Sequence, residues 1–126
     1  MKTVALFLSL TLLLGVALAQ SQGPGELLPQ GKEIFEGTCA DCHRVNGEGL
    51  PNKFPALKNN PFVLGDPGGV IATVLNGRQG NLGRMPSWKN KLDDQKVAAV
   101  LTYVRQAWGN QAPAVTPAMV AAIRGK

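Results

Sequence analysis

Apolar residues recur with a helical period in four places along the chain. Between residues 30 and 38, Ile34 and Phe35 stand among Lys32, Glu33 and Glu36, which predicts a short amphipathic helix running into Cys39. Val70, Ile71, Val74 and Leu75 share a face behind Asp66-Pro67, an N-cap with proline at the first helical position, and Gly77 supplies the stop. The clearest stripe is Val97, Val100, Leu101, Val104 and Trp108, with Asp93 as its cap and Gly109 as its terminator. A last, smaller helix takes Thr116 as cap and Pro117 as first residue, with Val120 and Ile123 as a narrow stripe. Residues 45–61 and 78–90 keep no period. They are broken by Gly47, Gly49, Pro51 and Pro55, and by Gly80, Gly83 and Pro86, and read as two long loops. No stretch alternates convincingly as a strand and no internal repeat is present. The expected fold class is all-α, three to five helices joined by long loops.

A different pattern, an unbroken apolar run, fills the N-terminus. Lys2 precedes it, residues 4–19 are almost wholly apolar, and Ala17-Leu18-Ala19 has the small residues of a cleavage site. Residues 1–19 therefore read as a signal peptide cut after Ala19, which exports the mature chain. The rival reading is an uncleaved membrane anchor, for which the run is somewhat short. No cysteine follows the cut to receive a lipid. Residues 20–27 read as a flexible lead-in, because 20–25 are polar and glycine-bearing.

Composition narrows the classes further. The chain has 126 residues, one domain by length, with 44% hydrophobic and 17% charged residues, which excludes a disordered tail protein. Fifteen glycines and nine prolines fit long, specified loops. A mature chain of roughly a hundred residues buries only about 60–65% of its unfolded surface. Its large apolar residues are few, so something besides side chains is expected to fill the middle. Two cysteines and one histidine exclude both a disulfide scaffold and a zinc site built from cysteine and histidine alone. The net charge is +5. Much of it lies between residues 44 and 91, where Arg44, Lys53, Lys58, Arg78, Arg84, Lys89 and Lys91 face only Glu48 and Asp66.

The sharpest signal is Cys39-Ala40-Asp41-Cys42-His43, the C-x-x-C-H pattern of covalent haem c attachment. Two thiols three positions apart can add to the two vinyl groups of a porphyrin. The adjacent imidazole is then carried beneath the ring, where a nitrogen can bind iron. A dithiol redox pair is the competing reading, but that chemistry normally sits at a strand-to-helix junction, which this pattern lacks. The only histidine is used here, so a second iron ligand must be Met85 or Met119 once Met1 leaves with the signal. Met85 lies in an irregular loop 42 residues after His43, far enough along the chain to wrap over a planar ring. Met119 lies on the tail helix, where packing or solvent is its expected surrounding.

With Gly31-Lys32-Glu33-Ile34-Phe35, the 39–43 motif, Met85-Pro86 and Ala99-Val100-Leu101-Thr102-Tyr103-Val104, residues 28–110 resemble the small mono-haem class I cytochromes c. Trp108-Gly109-Asn110 and the short helix of the C-terminal extension, 111–126, resemble cytochrome c domains that serve bacterial dehydrogenases. The resemblance implies a cytochrome c fold around one covalent haem, with first and last helices crossing so that Gly31 and Phe35 meet the 101–103 region. It implies Cys39 and Cys42 as thioether anchors, His43 and Met85 as axial iron ligands, and a carbonyl of Pro55 holding the His43 ring. Arg78, Arg84 and Trp88 are candidate propionate contacts, and no spacing selects among them.

A His/Met pair fills both axial positions and raises the reduction potential, which fits electron transfer and leaves no open site for ligand chemistry. The expected function is therefore a soluble periplasmic carrier of single electrons, not an enzyme. The alternative is a non-catalytic haem subunit of a dehydrogenase or terminal oxidase complex. A haem enzyme or gas sensor would need an open iron position. Expected partners are redox proteins with acidic docking surfaces, met through the basic loops. No nucleic acid and no small-molecule substrate is expected, and the free chain is expected to be a monomer.

Overall fold

The computed structural model describes Gly15 and residues 23–126. The expected signal peptide and its cleavage site thus lie, Gly15 apart, outside the described residues. Helix α1 spans Pro24–Ile34 and continues without a break through a π-helical stretch, Phe35–Cys39, into α2, Ala40–His43. It starts earlier than residue 30 and takes in the end of the segment expected to be flexible. Pro24 occupies the first helical turn, Glu26 complements the helix dipole there, and Leu27 is buried.

Gly31 is the hidden member of this helix's inner face. A Cβ built on it would stand 2.1 Å from the carbonyl oxygen of Ala99 and 2.8 Å from Cβ of Tyr103, both on α5, Asp94–Gln106. The two backbones cross at a separation that only glycine permits. Beside the crossing, Phe35 is fully buried, its ring centroid 5.7 Å from Tyr103 and 5.0 Å from Trp108. The expected crossing of first and last core helices is therefore present.

Helix α5 is capped as its sequence predicts, with Asp93 Oδ1 accepting from the Lys96 N–H at 2.8 Å. It ends three residues before Gly109, so Trp108 is not part of its stripe. Trp108 instead turns back at φ +55°, donates from Nε1 to the Val45 carbonyl at 3.2 Å, and lies against Gly47. Asp66 caps α4, Pro67–Asn76, accepting from Gly68 N–H at 2.7 Å, and Gly77 ends it at φ +75°. Thr116 caps α6, Pro117–Arg124, which buries Val120 against α4 and α5.

Two elements depart from the expected loops. Pro61–Leu64 forms a single turn, α3, capped by Asn60, whose Oδ1 accepts from Phe62 N–H at 2.9 Å. Arg78–Gln79 (β1) pairs antiparallel with Arg84–Met85 (β2), the Cα partners being Arg78 with Met85 and Gln79 with Arg84. A ladder of two residues a side is too short for period-two alternation to register. Neither changes the class. The protein is all-α, with α1–α2, α3, α4, α5 and α6 as its helical bodies among the described residues.

Long loops of this kind need internal fasteners, because a buried backbone carbonyl without a donor is costly. Arg105, only 2% exposed, donates from Nε to the Pro113 carbonyl and from Nη1 to the carbonyls of Val63 (2.7 Å) and Gly65 (2.9 Å). Burial pulls its pKa down, with Asp66 opposing, yet a guanidinium stays charged in protein. Asn110 Nδ2 donates to the Leu57 and Val104 carbonyls while its Oδ1 accepts from the Asn59 N–H. Thr102 exchanges hydrogen bonds with both backbone groups of Val115. These polar residues lie on or just after α5 and tie α3, the first loop and the C-terminal extension to it.

Candidate functional site

Residues i, i+3 and i+4 of a helix share a face, so Cys39, Cys42 and His43 project to one side of the α1–α2 rod. All three line a single cavity of about 530 Å³, within the range of small-molecule and cofactor sites. Apolar side chains dominate the lining, among them Phe35, Phe54, Val63, Val70, Val100 and Leu101.

His43 is 9% exposed, and its Nδ1 lies 3.0 Å from the carbonyl oxygen of Pro55. A carbonyl can only accept, so Nδ1 carries the proton and donates, which leaves the lone pair on Nε2. Burial lowers the pKa of the ring and the hydrogen bond to Pro55 opposes this. The first loop delivers the carbonyl by folding back on itself. Gly49 N–H donates to the His43 carbonyl at 2.9 Å, and Leu50 pairs with Phe54. Gly49 sits at φ +63°, and a Cβ there would come within 2.7 Å of the Pro55 oxygen.

The Cys39 thiol is not poised for disulfide exchange. Burial, and then the neighbouring Cys42, push the Cys39 thiol up to about 11, whereas dithiol redox proteins depress the pKa of their attacking cysteine. The two cysteines are unbridged and half-buried in the cavity wall.

Met85 enters the same cavity from β2. Its strand runs close over Gly77, where a Cβ would stand 2.6 Å from the Met85 carbonyl oxygen. The chain beyond is stitched to the end of α4 by Ser87 Oγ donating to the Leu75 carbonyl and by Trp88 N–H donating to the Val74 carbonyl at 3.0 Å. Met119 is 41% exposed on α6 and is not part of the lining.

Arg78, Arg84 and Trp88 all border the cavity. The Arg78 guanidinium stacks 4.8 Å over the Phe62 ring, and the Lys91 ammonium lies 5.2 Å over Trp88. Phe62 and Leu82, 44% and 40% exposed, also line the cavity, a role that sequence reasoning missed for both. Asn60-Pro61 carries the same cap-then-proline signature as Asp66-Pro67 and Thr116-Pro117, and could have revealed the turn that places Phe62.

Two thiols, one imidazole with a free Nε2, one thioether and an apolar lining fit an iron porphyrin held by covalent bonds. The family of cytochrome c oxidase, cbb3-type, subunit III matches residues 26–104, and the chain belongs to it. This protein is a cytochrome c electron-transfer domain carrying a covalently bound haem c.

Cytochrome c-552 of Thermus thermophilus is 36% identical over 111 residues, covering 79% of this chain and 68% of that protein. The cytochrome c subunit of quinone alcohol dehydrogenase from Gluconobacter oxydans is 34% identical over 110 residues, covering 81% of this chain. The chain spans only 22% of that subunit's length. Among solved structures, the c-type cytochrome XoxG from Methylobacterium extorquens AM1 shares the fold, with TM-score 0.54 and 20% identity. That match covers 79% of this chain and 65% of XoxG.

Proposed function

We propose that this protein is an exported one-electron carrier whose haem is anchored by Cys39 and Cys42 and ligated by His43 and Met85. The observation that carries this reading is the convergence of both cysteines, His43 and Met85 on one apolar cavity. When bound, the haem supplies a single iron that alternates between Fe(II) and Fe(III). The chain's own residues do the rest. His43, held by Pro55 at Nδ1, presents Nε2 as a nitrogen donor of raised basicity. Met85 presents a soft thioether, which favours the reduced iron and raises the potential. The largely apolar lining would limit water around a bound haem, so little solvent would have to reorganise when charge moves. Arg78, Arg84 and Trp88 border the cavity and would offer N–H donors to the propionates of a bound haem.

With His43 and Met85 both holding the iron, no coordination position would be left for a substrate, and the protein would carry electrons without making or breaking bonds. Its partners are redox proteins with acidic docking faces, met through the exposed Lys53, Lys89 and Lys91. Export to the periplasm follows from the N-terminal run, with cleavage after Ala19. Among the described residues no helix is long and apolar enough to cross a membrane.

Spectroscopy on the purified, haem-loaded protein tests the reading. Reversible one-electron voltammetry with no carbon monoxide binding to the reduced form supports it, and carbon monoxide binding to the unmutated protein overturns it. A second reading, a haem subunit held in a larger complex, is favoured by the likeness to dehydrogenase subunits and to the CcoP subunit of cbb3-type oxidase from Azospirillum brasilense, 30% identical over 88 residues. Co-purification from the native host separates the two: a free monomer supports the carrier, and co-elution with a large dehydrogenase or oxidase subunit supports the complex.

A further inference from the structure

The hairpin that carries Met85 has little to hold it across the cavity. Its ladder is two residues a side, and an isolated two-stranded hairpin is marginal in water. Its base is fixed at the end of α4, through Gly77 just before one strand and Ser87 to Lys89 after the other. Gly80, Asn81 and Leu82 at the tip are exposed, and a Cβ on Gly80 would meet nothing within 4 Å. Its lateral contacts include Gly83, which passes close to the Lys53 carbonyl and the Phe54 ring, and the Arg78 guanidinium, which stacks on Phe62.

The Arg78–Phe62 contact is built from both sides. Asn60 caps α3 and fixes the backbone of Phe62. On α4, Gly69 leaves room for the ring, since a Cβ there would lie 3.0 Å from Phe62 Cε2. Phe62 is thus in contact with the α4 backbone at Gly69 and with the guanidinium of Arg78. Arg78 is also the ladder partner of Met85. Anchoring Arg78 therefore fixes β1, and β1 fixes the strand that presents the thioether.

We propose that the Arg78–Phe62 stack is the latch that holds Met85 at the iron, making both residues positioning residues for the axial ligand. The inference rests on the proposed ligation by Met85 and deepens it. A partly exposed cation–ring contact is a modest interaction, so the latch biases an equilibrium between seated and released thioether and does not hold the fold together.

The test measures cyanide uptake by the ferric holoprotein at neutral pH, where an incoming ligand must wait for the thioether to leave. Arg78→Gln and Phe62→Leu should each speed uptake roughly two- to five-fold, and the double variant should be no faster than either single one. Phe62→Tyr, which keeps an aromatic face, should retain the wild-type rate. Guanidinium unfolding midpoints that stay put would tie the effect to the ligand and not to global stability.

Multiplicative effects in the double variant overturn the latch, as does a wild-type rate in Phe62→Leu. Either result, with the long-wavelength sulfur-to-iron band still lost in Met85→Ala, removes the latch alone. Persistence of that band in Met85→Ala removes the ligand assignment and the latch together.

Discussion

His43 donates from Nδ1 to the carbonyl of Pro55, 3.0 Å away, and Gly49 is the residue that lets the chain fold tightly enough for this bond. The bond fixes both the tautomer and the plane of the ring. Gly49 takes a positive φ and stands where any Cβ would press on Phe54 and Pro55. Gly49→Ala should therefore push the carbonyl away from the ring and destabilise the holoprotein by about 1 kcal/mol or more. A weaker hydrogen bond makes the imidazole a poorer donor, which disfavours Fe(III). The reduction potential should rise while the haem remains covalently attached. Denaturant unfolding and voltammetry check the two parts separately, and an unchanged potential would sever the link between Gly49 and the ring.

The helices were legible wherever a cap, a starting proline and an apolar stripe coincided, as at Asp66-Pro67 and Thr116-Pro117. The same logic under-read α1. Leu27, Gly31, Ile34 and Phe35 form its inner face, but Gly31 counts as a breaker in any pattern, and Pro29 lies within the helix. Only the crossing with α5 explains why a glycine belongs there. Trp108 fitted the spacing of α5 and yet left the helix, because its indole gains Val45 and Gly47 as neighbours. The cysteines and His43 stood out because the C-x-x-C-H pattern is local in sequence, and the structure brings all three to one cavity. Pro55 rested on resemblance, and Phe62 and Arg105 were invisible. Their partners, Arg78 for Phe62 and Val63, Gly65 and Pro113 for Arg105, are chosen by the three-dimensional path of loops without a period.

Attachment through Cys39 and Cys42 predicts that acid–acetone extraction leaves the haem on the protein. Mass spectrometry should find one haem per mature chain from cells competent for cytochrome c maturation. The cavity at the centre of the fold is large relative to its thin apolar core, so folding should depend on its occupant. Replacing both Cys39 and Cys42 with Ala should yield a degraded or poorly folded chain. A stable double variant with native far-UV circular dichroism and no haem would show that the side-chain core suffices.

Docking through the basic loops makes a prediction about salt. Lys53, Lys89 and Lys91 are exposed, and Lys91 lies over Trp88 at the cavity border. The Debye length falls from about 30 Å at 0.01 M to about 8 Å at 0.15 M. Second-order electron transfer to an acidic partner should slow by on the order of ten-fold across that range. Reversing the three lysines to Glu should slow it further at low salt and leave the absorption spectrum unchanged. Rates indifferent to ionic strength would remove electrostatic steering while leaving the haem assignment intact.

Met85 and Met119 give the sharpest contrast. Met85 lines the cavity from β2, and the chain after it is fastened to α4 by Ser87 and Trp88. Met119 is 41% exposed on a helix whose buried residue is Val120. Removing the Met85 thioether should therefore remove a ligand, whereas removing that of Met119 should trim a surface side chain. Met85→Ala should abolish the weak long-wavelength band of the ferric protein, lower the reduction potential, and open the iron to carbon monoxide or cyanide. Met119→Ala should change none of these and alter stability by no more than about 0.5 kcal/mol. The sign on the potential follows from ligand softness: the thioether favours Fe(II), so its loss stabilises Fe(III). Were the Met85→Ala protein to keep both the native spectrum and the native potential, the hairpin would not supply the ligand. The sixth donor would then have to come from elsewhere in the chain.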